Sequence, residues 1–433
     1  MTNPRIFIGL EEIAGNYMSL ARGLRQLGMV CDLVLFYQHP FEYGHDDPIP
    51  LVSWIRQIGR VGGRRRLARL LLLPVNVALR SVVFLWAALR YDVFIFAFAS
   101  SFFPGAFYLD YLLLRLLGKR IICRFHGDDV RPPFVSARSL TKDGTPIPPN
   151  SCLALTRRQK RKLRRIERYA SILINTPPQG LFHEKAFINA FVLGRTFTPP
   201  STTSPPMISP DSPNRRPVRI LHCPSNPLVK GTVLIRNVID ELKLEGHEIE
   251  FIELSGVSND RVHQELRRCD IVLDQLFADL PMGALPAEAA YWAKPSVVAG
   301  YYATTFQTEI PADLVPPVSF CDPAETKARL RQMILEPERR RDLGRRAQEF
   351  VMTEWSVRAV AARWRRVILD GAPAEWYCHP RSLTYIYGAG IAKQHIKANV
   401  RALVQLAGAG ALCLDDKPEL VQRFLDFASA SDD

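Results

Sequence analysis

VRILHCPSN, residues 218–226, followed by PLVKGT, residues 227–232, is the stretch whose reading decides the fold. A short apolar run ends in the turn-prone Pro-Ser-Asn. A periodic segment follows in which Leu234, Ile235, Val238, Ile239 and Leu242 recur at helical spacing, and Thr232 stands where a helix cap belongs. EIEFIEL (248–254) then alternates as a strand, and NDRVHQELRRC (259–269) is an amphipathic helix. DIVLDQL (270–276) is a buried strand, ALPAEAAYWA (284–293) a helix and PSVVAGY (295–301) another strand. Strands separated by helices of about ten residues call for a parallel, doubly wound sheet.

In such sheets a ligand sits at the carboxyl ends of the strands, beside helix N-termini whose amides and dipole favour anions. Lys230, after a strand and before a helix, is placed to join those amides in holding a diphosphate. Glu288, read as opening the helix after a turn at Gly283, is placed to accept hydrogen bonds from paired hydroxyls, as on a ribose. Together they suit a nucleoside diphosphate.

HCPSNPLVKGT (222–232), DIVLDQL and GALPAEAAYWAKPSVV (283–298) resemble, in order, the C-terminal half of the GT-B glycosyltransferases, specifically the retaining family 4 group and its HxPSNxxxKGT subgroup. The resemblance implies an α/β chain with two Rossmann-like doubly wound domains facing a cleft. It assigns donor contacts to Asn226, Lys230, Gly231, Gly283 and Glu288. Many members carry a second Glu eight positions before the one matching Glu288 and an Arg five before the Lys. Here those positions hold Leu280 and Ser225, and Asp279 is the nearest carboxylate to the first.

With 433 residues, 47% of them hydrophobic, the chain has enough material for two packed cores. Its eight cysteines show neither CxxC nor Cys/His ligand spacing, which speaks against zinc and a disulfide framework and for a reducing cytosol. MTNPRIFIGLEE reaches two glutamates after an apolar run too short for a signal peptide. The formal charge of +13 predicts attraction to something acidic, whether phosphate-bearing substrate, anionic lipid or nucleic acid.

RIFIGL (5–10), the helix GNYMSLARGLRQLG (15–28) and VCDLVLF (30–36) make another βαβ opening. EEIAGN between strand and helix lacks the GxGxxG fingerprint. In GT-B enzymes the matching loop lies against the donor phosphates, which makes Gly15 a candidate backbone contact; a simple tight turn is the other reading.

Residues 54–90 combine Arg56, Arg60, Arg64, Arg65, Arg66 and Arg69 with a run of Leu, Val, Phe and Trp. As a membrane span this stretch would bury Arg80 mid-bilayer, at about 2.5–3.5 kcal/mol on insertion scales, with Pro74 and Asn76 adding to the cost. An interfacial anchor on anionic headgroups and a buried helix pair remain as alternatives.

YDVFIFAFASSFFP (91–104), LDYLLLRLLGKR (109–120) and RIICRFHGDDVRPP (120–133) read as strand, helix and strand running into a polar loop. They resemble the YDVxxFHFG and FHGSDVR signatures of the same subgroup. The resemblance makes His126 the active-site histidine of the N-terminal domain and puts Asp129 and Arg131 on the acceptor side; Asp128 replaces a small residue. A neutral imidazole there could hydrogen-bond a sugar hydroxyl or carbonyl oxygen, or merely close its own loop.

LTRRQKRKLRRIERYA (155–170) carries eight basic residues from Arg157 to Arg168. They form a solvated face, a membrane-surface patch or a site for a phosphorylated acceptor. RNA binding would need interleaved aromatics that this helix lacks, so no nucleic-acid partner is expected. SILINTPPQGLF (171–182) is a strand and turn similar to the family's DxxxVxTPxL step. Residues 196–217 then hold seven prolines among Ser and Thr, an extended linker. The expected division is 1–195, linker 196–217, 218–370, and a helical C-terminal appendage 371–433 suited to a partner or self-association. The helices AETKARLRQMIL (324–335), ERRRDLGRRAQEFVMTEW (338–355) and SVRAVAARWRRVIL (356–369) occupy the place where GT-B chains cross back to the N-terminal domain.

The mechanism implied is transfer from a nucleoside-diphosphate sugar to a lipid-linked, polysaccharide or other glycan acceptor. His126 and Lys230 are its catalytic residues, and Lys230 and helix amides stabilise the leaving diphosphate. A unit charge pair at 4 Å is worth roughly 4 kcal/mol at an effective dielectric near 20. Loss of Lys230 should then cost about 2–4 kcal/mol, or roughly thirty- to a thousandfold in rate. The chain has no D-x-D spacing, so no metal and no cofactor are expected. A cytoplasmic protein, peripheral on the inner face of the plasma membrane where the acceptor is lipid-linked, completes the expectation. Ser225 and Leu280 keep open a non-catalytic sugar-nucleotide or glycan binder on the same fold, and a sugar-nucleotide epimerase is the other alternative.

Overall fold

A computed structural model describes residues 3–37, 46, 48–64, 71–103, 105–197 and 217–430. The chain forms two compact units. One comprises Met1–Val130, Arg158–Thr198 and Ser356–Ser382; the other comprises Arg131–Arg157, Pro199–Trp355 and Leu383–Asp433.

The first unit is built on a seven-stranded sheet. Its strands are β1 (Ile6–Leu10), β2 (Cys31–Leu35), β3 (Val93–Ala97), β4 (Arg120–Arg124), β5 (Ile172–Asn175), β6 (Phe187–Asn189) and β12 (Tyr377–Cys378), in the order β12-β6-β5-β4-β3-β1-β2. All pairings are parallel except that of β12 on β6. The central strands are buried along their whole length, as parallel strands covered on both faces require. On one face the helix Asn16–Gln26 inserts Tyr17, Leu20, Ala21 and Leu24 into a core completed by Val360, Ala361 and Trp364 of the helix Val357–Leu369.

The second unit carries β7 (Val218–His222), β8 (Ile249–Glu253), β9 (Ile271–Leu273), β10 (Ser296–Ala299) and β11 (Ser319–Cys321) in the order β11-β10-β9-β7-β8, all parallel. Consecutive strands run outward in opposite directions from the β7/β9 boundary, so the topological switch point lies there. Both units are thus doubly wound α/β sheets.

The units differ from the division read from the sequence. The stretch 371–382 belongs to the first unit and supplies its antiparallel edge strand, while 383–433 is part of the second. There the helices Lys393–Ala407 and Pro418–Ser429 pack on Arg131–Arg157: Phe424 meets Phe134 edge-on, and the Asn399 amide donates to the Phe134 carbonyl and the Ser139 hydroxyl at 3.0 and 2.9 Å. Buried residues such as Ile396, Val400 and Leu403 drive this packing. Of the expected linker, 198–216 lie outside the described residues, as do Arg65, Arg66 and Arg69 and the side chains of Arg60 and Arg64.

Candidate functional site

In the second unit the site is built at the carboxyl ends of β7 and β9. Asn226 ends the turn after β7 and caps the short helix Pro227–Lys230, its Oδ1 accepting from the amides of Leu228 and Val229 at 3.1 and 3.4 Å. Gly231 follows at φ 73°, a left-handed turn at which a β-carbon would lie 3.2 Å from Cβ of Leu276. Gly231, and not Thr232, occupies the cap position of the helix Thr232–Leu244. The Thr232 hydroxyl instead reaches Nε2 of His222 at 2.9 Å, while Nδ1 of His222 donates to the Leu273 carbonyl at 2.8 Å. Burial holds this histidine below its usual pKa and neutral, so it ties β7, β9 and the helix together as a structural bridge.

Lys230 emerges from this turn, and its Nζ lies 3.0 Å from Oδ1 of Asp274, the residue that follows β9. The cation expected to hold a diphosphate is therefore paired with a carboxylate whose side chain is 1% exposed. Oδ2 of Asp274 is buried without a hydrogen-bond partner and points toward Gly283, which precedes the helix Ala284–Tyr291. Glu288 is the fifth residue of that helix, a turn further in than expected, and its Oε1 accepts from the Asn259 amide at 3.2 Å. Cys223 shares this neighbourhood. Burial pushes its thiol up to about 11, the charges of Glu288 and Asp274 add to the shift and that of Lys230 opposes it. Lys230 and Gly283 thus lie against Asp274, Gly231 sets the turn beside Leu276, and Glu288 and Asp274 both act on Cys223.

Asp279, the carboxylate nearest to the Leu280 position, forms an ion pair with Arg131 in which both side chains are almost fully buried. Tyr385 of the stretch 383–391 is buried beside this pair, and burial raises its hydroxyl. Asp279 and Arg131 consequently spend their charges on each other.

In the first unit the loop after β4 carries His126 and Asp129. Oδ1 of Asp129 accepts the His126 amide at 2.9 Å and shapes the loop. The Tyr17 hydroxyl lies 2.7 Å from Nε2 of His126. Burial raises the tyrosine, so it stays protonated and donates; the histidine proton then belongs on Nδ1. Burial, with the guanidinium groups of Arg124 and Arg195, keeps the imidazole well below its ordinary pKa and therefore neutral. Gly15, at φ 73°, precedes the helix Asn16–Gln26. The first-turn amides of Tyr17 and Met18 are satisfied by Glu12, at 3.1 and 2.8 Å. A carboxylate from the chain itself thus fills part of the anion site expected at this helix N-terminus. The signal is legible in EEIAGN, since an acid just before a helix favours its N-terminus.

No protein-family model and no curated protein matches the chain. Among solved structures it is similar to HepE from Anabaena in complex with UDP and glucose, at 12% identity over 85% of this chain and 99% of that one, with a TM-score of 0.47. It is also similar to a variant of S. aureus TarM in complex with fondaparinux, alpha-GlcNAc-glycerol and UDP, at 12% identity over 68% and 59% of the two chains and a TM-score of 0.43. For the glycosyltransferase SnogD from Streptomyces nogalater the values are 13% identity, 85% and 100% coverage, and a TM-score of 0.39.

Proposed function

We propose that this chain is a GT-B glycosyltransferase that moves a sugar from a nucleoside-diphosphate donor to a lipid-linked, polysaccharide or other glycan acceptor, with retention at the anomeric carbon and without a bound metal. The observation that carries the reading is the convergence of Lys230, Asp274 and Glu288 at the switch point of the second sheet, beside the N-terminus of the helix Ala284–Tyr291. An ammonium has three donors. Asp274 takes one and orients the group, leaving the others for the phosphate oxygens on which charge builds as the bond from the anomeric carbon to the diphosphate breaks. Glu288 would exchange its Asn259 contact for the ribose hydroxyls. His126, neutral with its proton on Nδ1, acts as a hydrogen-bond donor to a substrate oxygen. Retention rests on the family resemblance alone.

Thermal unfolding with UDP-, GDP- and ADP-sugars tests the proposal. A ligand at a hundred times its dissociation constant stabilises by about 2.7 kcal/mol, and Glu288→Gln should shrink that shift. A panel without any shift would sink the reading. Turnover abolished by chelator and restored by Mg²⁺ would remove metal independence. The Arg131–Asp279 pair favours a second reading, a sugar-nucleotide binder without transferase activity, because it withdraws the carboxylate nearest to Leu280. Tight nucleotide binding with neither transfer nor hydrolysis would select that reading, and a product formed without any acceptor would point to an epimerase.

A further inference from the structure

The helices Leu73–Arg90 and Leu109–Leu116 of the first unit, and residues 50–59 of the helix Pro50–Arg64, leave apolar side chains uncovered. Leu73–Arg90 buries Val83, Phe84, Ala87 and Ala88 but exposes Val75, Val82, Leu85 and Leu89, the last to 88%; Trp54, Leu109 and Leu116 extend the exposed surface. An apolar area of this kind marks an interaction site. Between the helices lies a cavity of about 770 Å³ walled by Ile58, Leu72, Val77, Phe84, Phe103 and Leu113, within the range of small-molecule sites, about 300–1,000 Å³.

Leu73–Arg90 is long and apolar enough to cross a membrane, yet it is fastened to the unit at its middle. Arg80 is 6% exposed and donates to Asn76, the Phe102 carbonyl and the Tyr37 hydroxyl, with its guanidinium 4.7 Å from the centre of the Phe36 ring. Releasing the helix to span a bilayer would break the bonds to Phe102 and Tyr37, since only the one to Asn76 lies within the helix itself. An in-plane position keeps them and buries only the outer face. Arg80 also lines the cavity, and its hydrogen-bond partners among the described residues are all neutral. A cation so placed is complemented by an anion whose remainder is apolar.

The surrounding charge has the same sign. Along the three helices the only acid in the sequence is Asp110, which is fully buried. Arg90 and Arg115 are exposed, and Arg165 lies 4.4 Å over the ring of the exposed Phe107. A water-soluble protein partner would need acidic groups as well as an apolar face; an anionic leaflet presents both properties everywhere.

We propose that this face docks in the plane of an anionic bilayer, with exposed leucines and valines in the acyl region, arginines on lipid phosphates and one acyl chain entering the cavity. The inference goes beyond the glycosyl-transfer reading and does not rest on it. Flotation of the full chain with phosphatidylcholine vesicles, with and without phosphatidylglycerol, provides the test. The wild type should float with the anionic vesicles only. Leu85→Glu/Leu89→Glu alters exposed positions, so its unfolding temperature should match the wild type while its partition falls by at least about tenfold. Absence of wild-type flotation, equal flotation on neutral vesicles, or undiminished flotation of the double variant would each overturn the proposal. So would a dimer that the double variant loses while neither protein floats, which would assign the face to a second copy of the chain.

Discussion

At the scale of single residues, Lys230 and Asp274 have to be treated as one unit. Asp274 is the more deeply buried partner and has one oxygen already unsatisfied, so removing the lysine strands a charge in the interior, at about 3–5 kcal/mol. Lys230→Met should therefore lower stability in urea unfolding by that amount. Asp274→Asn should cost less, because the lysine side chain is 20% exposed and can turn to water. The double variant should recover most of the loss. Nucleotide-induced thermal shifts separate folding from binding: they should vanish in Lys230→Met and in the double variant and persist in Asp274→Asn. A shift that survives in Lys230→Met would refute the phosphate role.

A second residue sets a pH dependence. Asp110 is fully buried, accepts from the Phe102 amide at 2.7 Å and from Ser101, and its carboxyl is raised to about 6, chiefly by burial. Because the folded value lies above the unfolded one, its contribution is fully present below pH about 4 and is lost as the pH rises through about 6, an effect of at most about 3 kcal/mol. Asp110→Asn should flatten stability between pH 4 and 7, relative to wild type, in paired denaturant titrations. His126 has the opposite sign: held low, it remains neutral as the solution becomes mildly acidic, so donor binding should show no inflection near pH 6.5 from this group.

At the scale of elements, what was legible had a period. Strands such as RIFIGL and helices such as NDRVHQELRRC stand within a residue of their expected places, and DIVLDQL holds a strand shortened to Ile271–Leu273, because continuous apolar runs and 3.6-residue spacing report burial directly. β6 and β12 have only three and two residues, too few to show a pattern. Lys160 looked like one more charge on a solvated helix face, yet it is 2% exposed, donating to the Phe182 carbonyl and pairing with Glu184; a single sequence carries no sign of that tertiary pairing. Gly23 shows how closely the helices Asn16–Gln26 and Val357–Leu369 are packed: a β-carbon there would lie 2.7 Å from both the Val357 carbonyl oxygen and Cβ of Ala361. Substituting alanine, normally favourable in a helix by about 1 kcal/mol, should here overpack the contact and destabilise by about 1–3 kcal/mol. A rise in the unfolding midpoint of Gly23→Ala would mean that the two helices are not held so tightly.

At the scale of the whole molecule, the chain passes between its two units more often than a string of domains would. The return to the first unit runs over 356–382 rather than beginning after 370 as the expected division has it; only that helices near the C-terminus cross back was legible, from the helix pattern and the family resemblance. Incorporation of 131–157 and 383–433 into the second was not, since the contacts that specify it join residues some 250 apart in sequence, such as Phe134 and Asn399. Gly388 approaches so closely that a β-carbon would collide with the Val135 carbonyl, and the Gly390 amide donates to the Phe277 carbonyl at 2.9 Å. These glycines thread 383–391 along backbone next to the loop that bears Asp279. Ending the chain after Ser382 would uncover Phe134, strip those bonds and remove the buried Tyr385 from beside the Arg131–Asp279 pair. The truncated protein should retain the calorimetric transition of the first unit, which contains none of the deleted residues, while that of the second falls sharply or disappears. Limited proteolysis should then cut within 218–355 and spare the first unit. A second-unit transition unchanged in temperature, together with an undiminished nucleotide shift, would show instead that 383–433 is an appendage which the sheet and its site do not need.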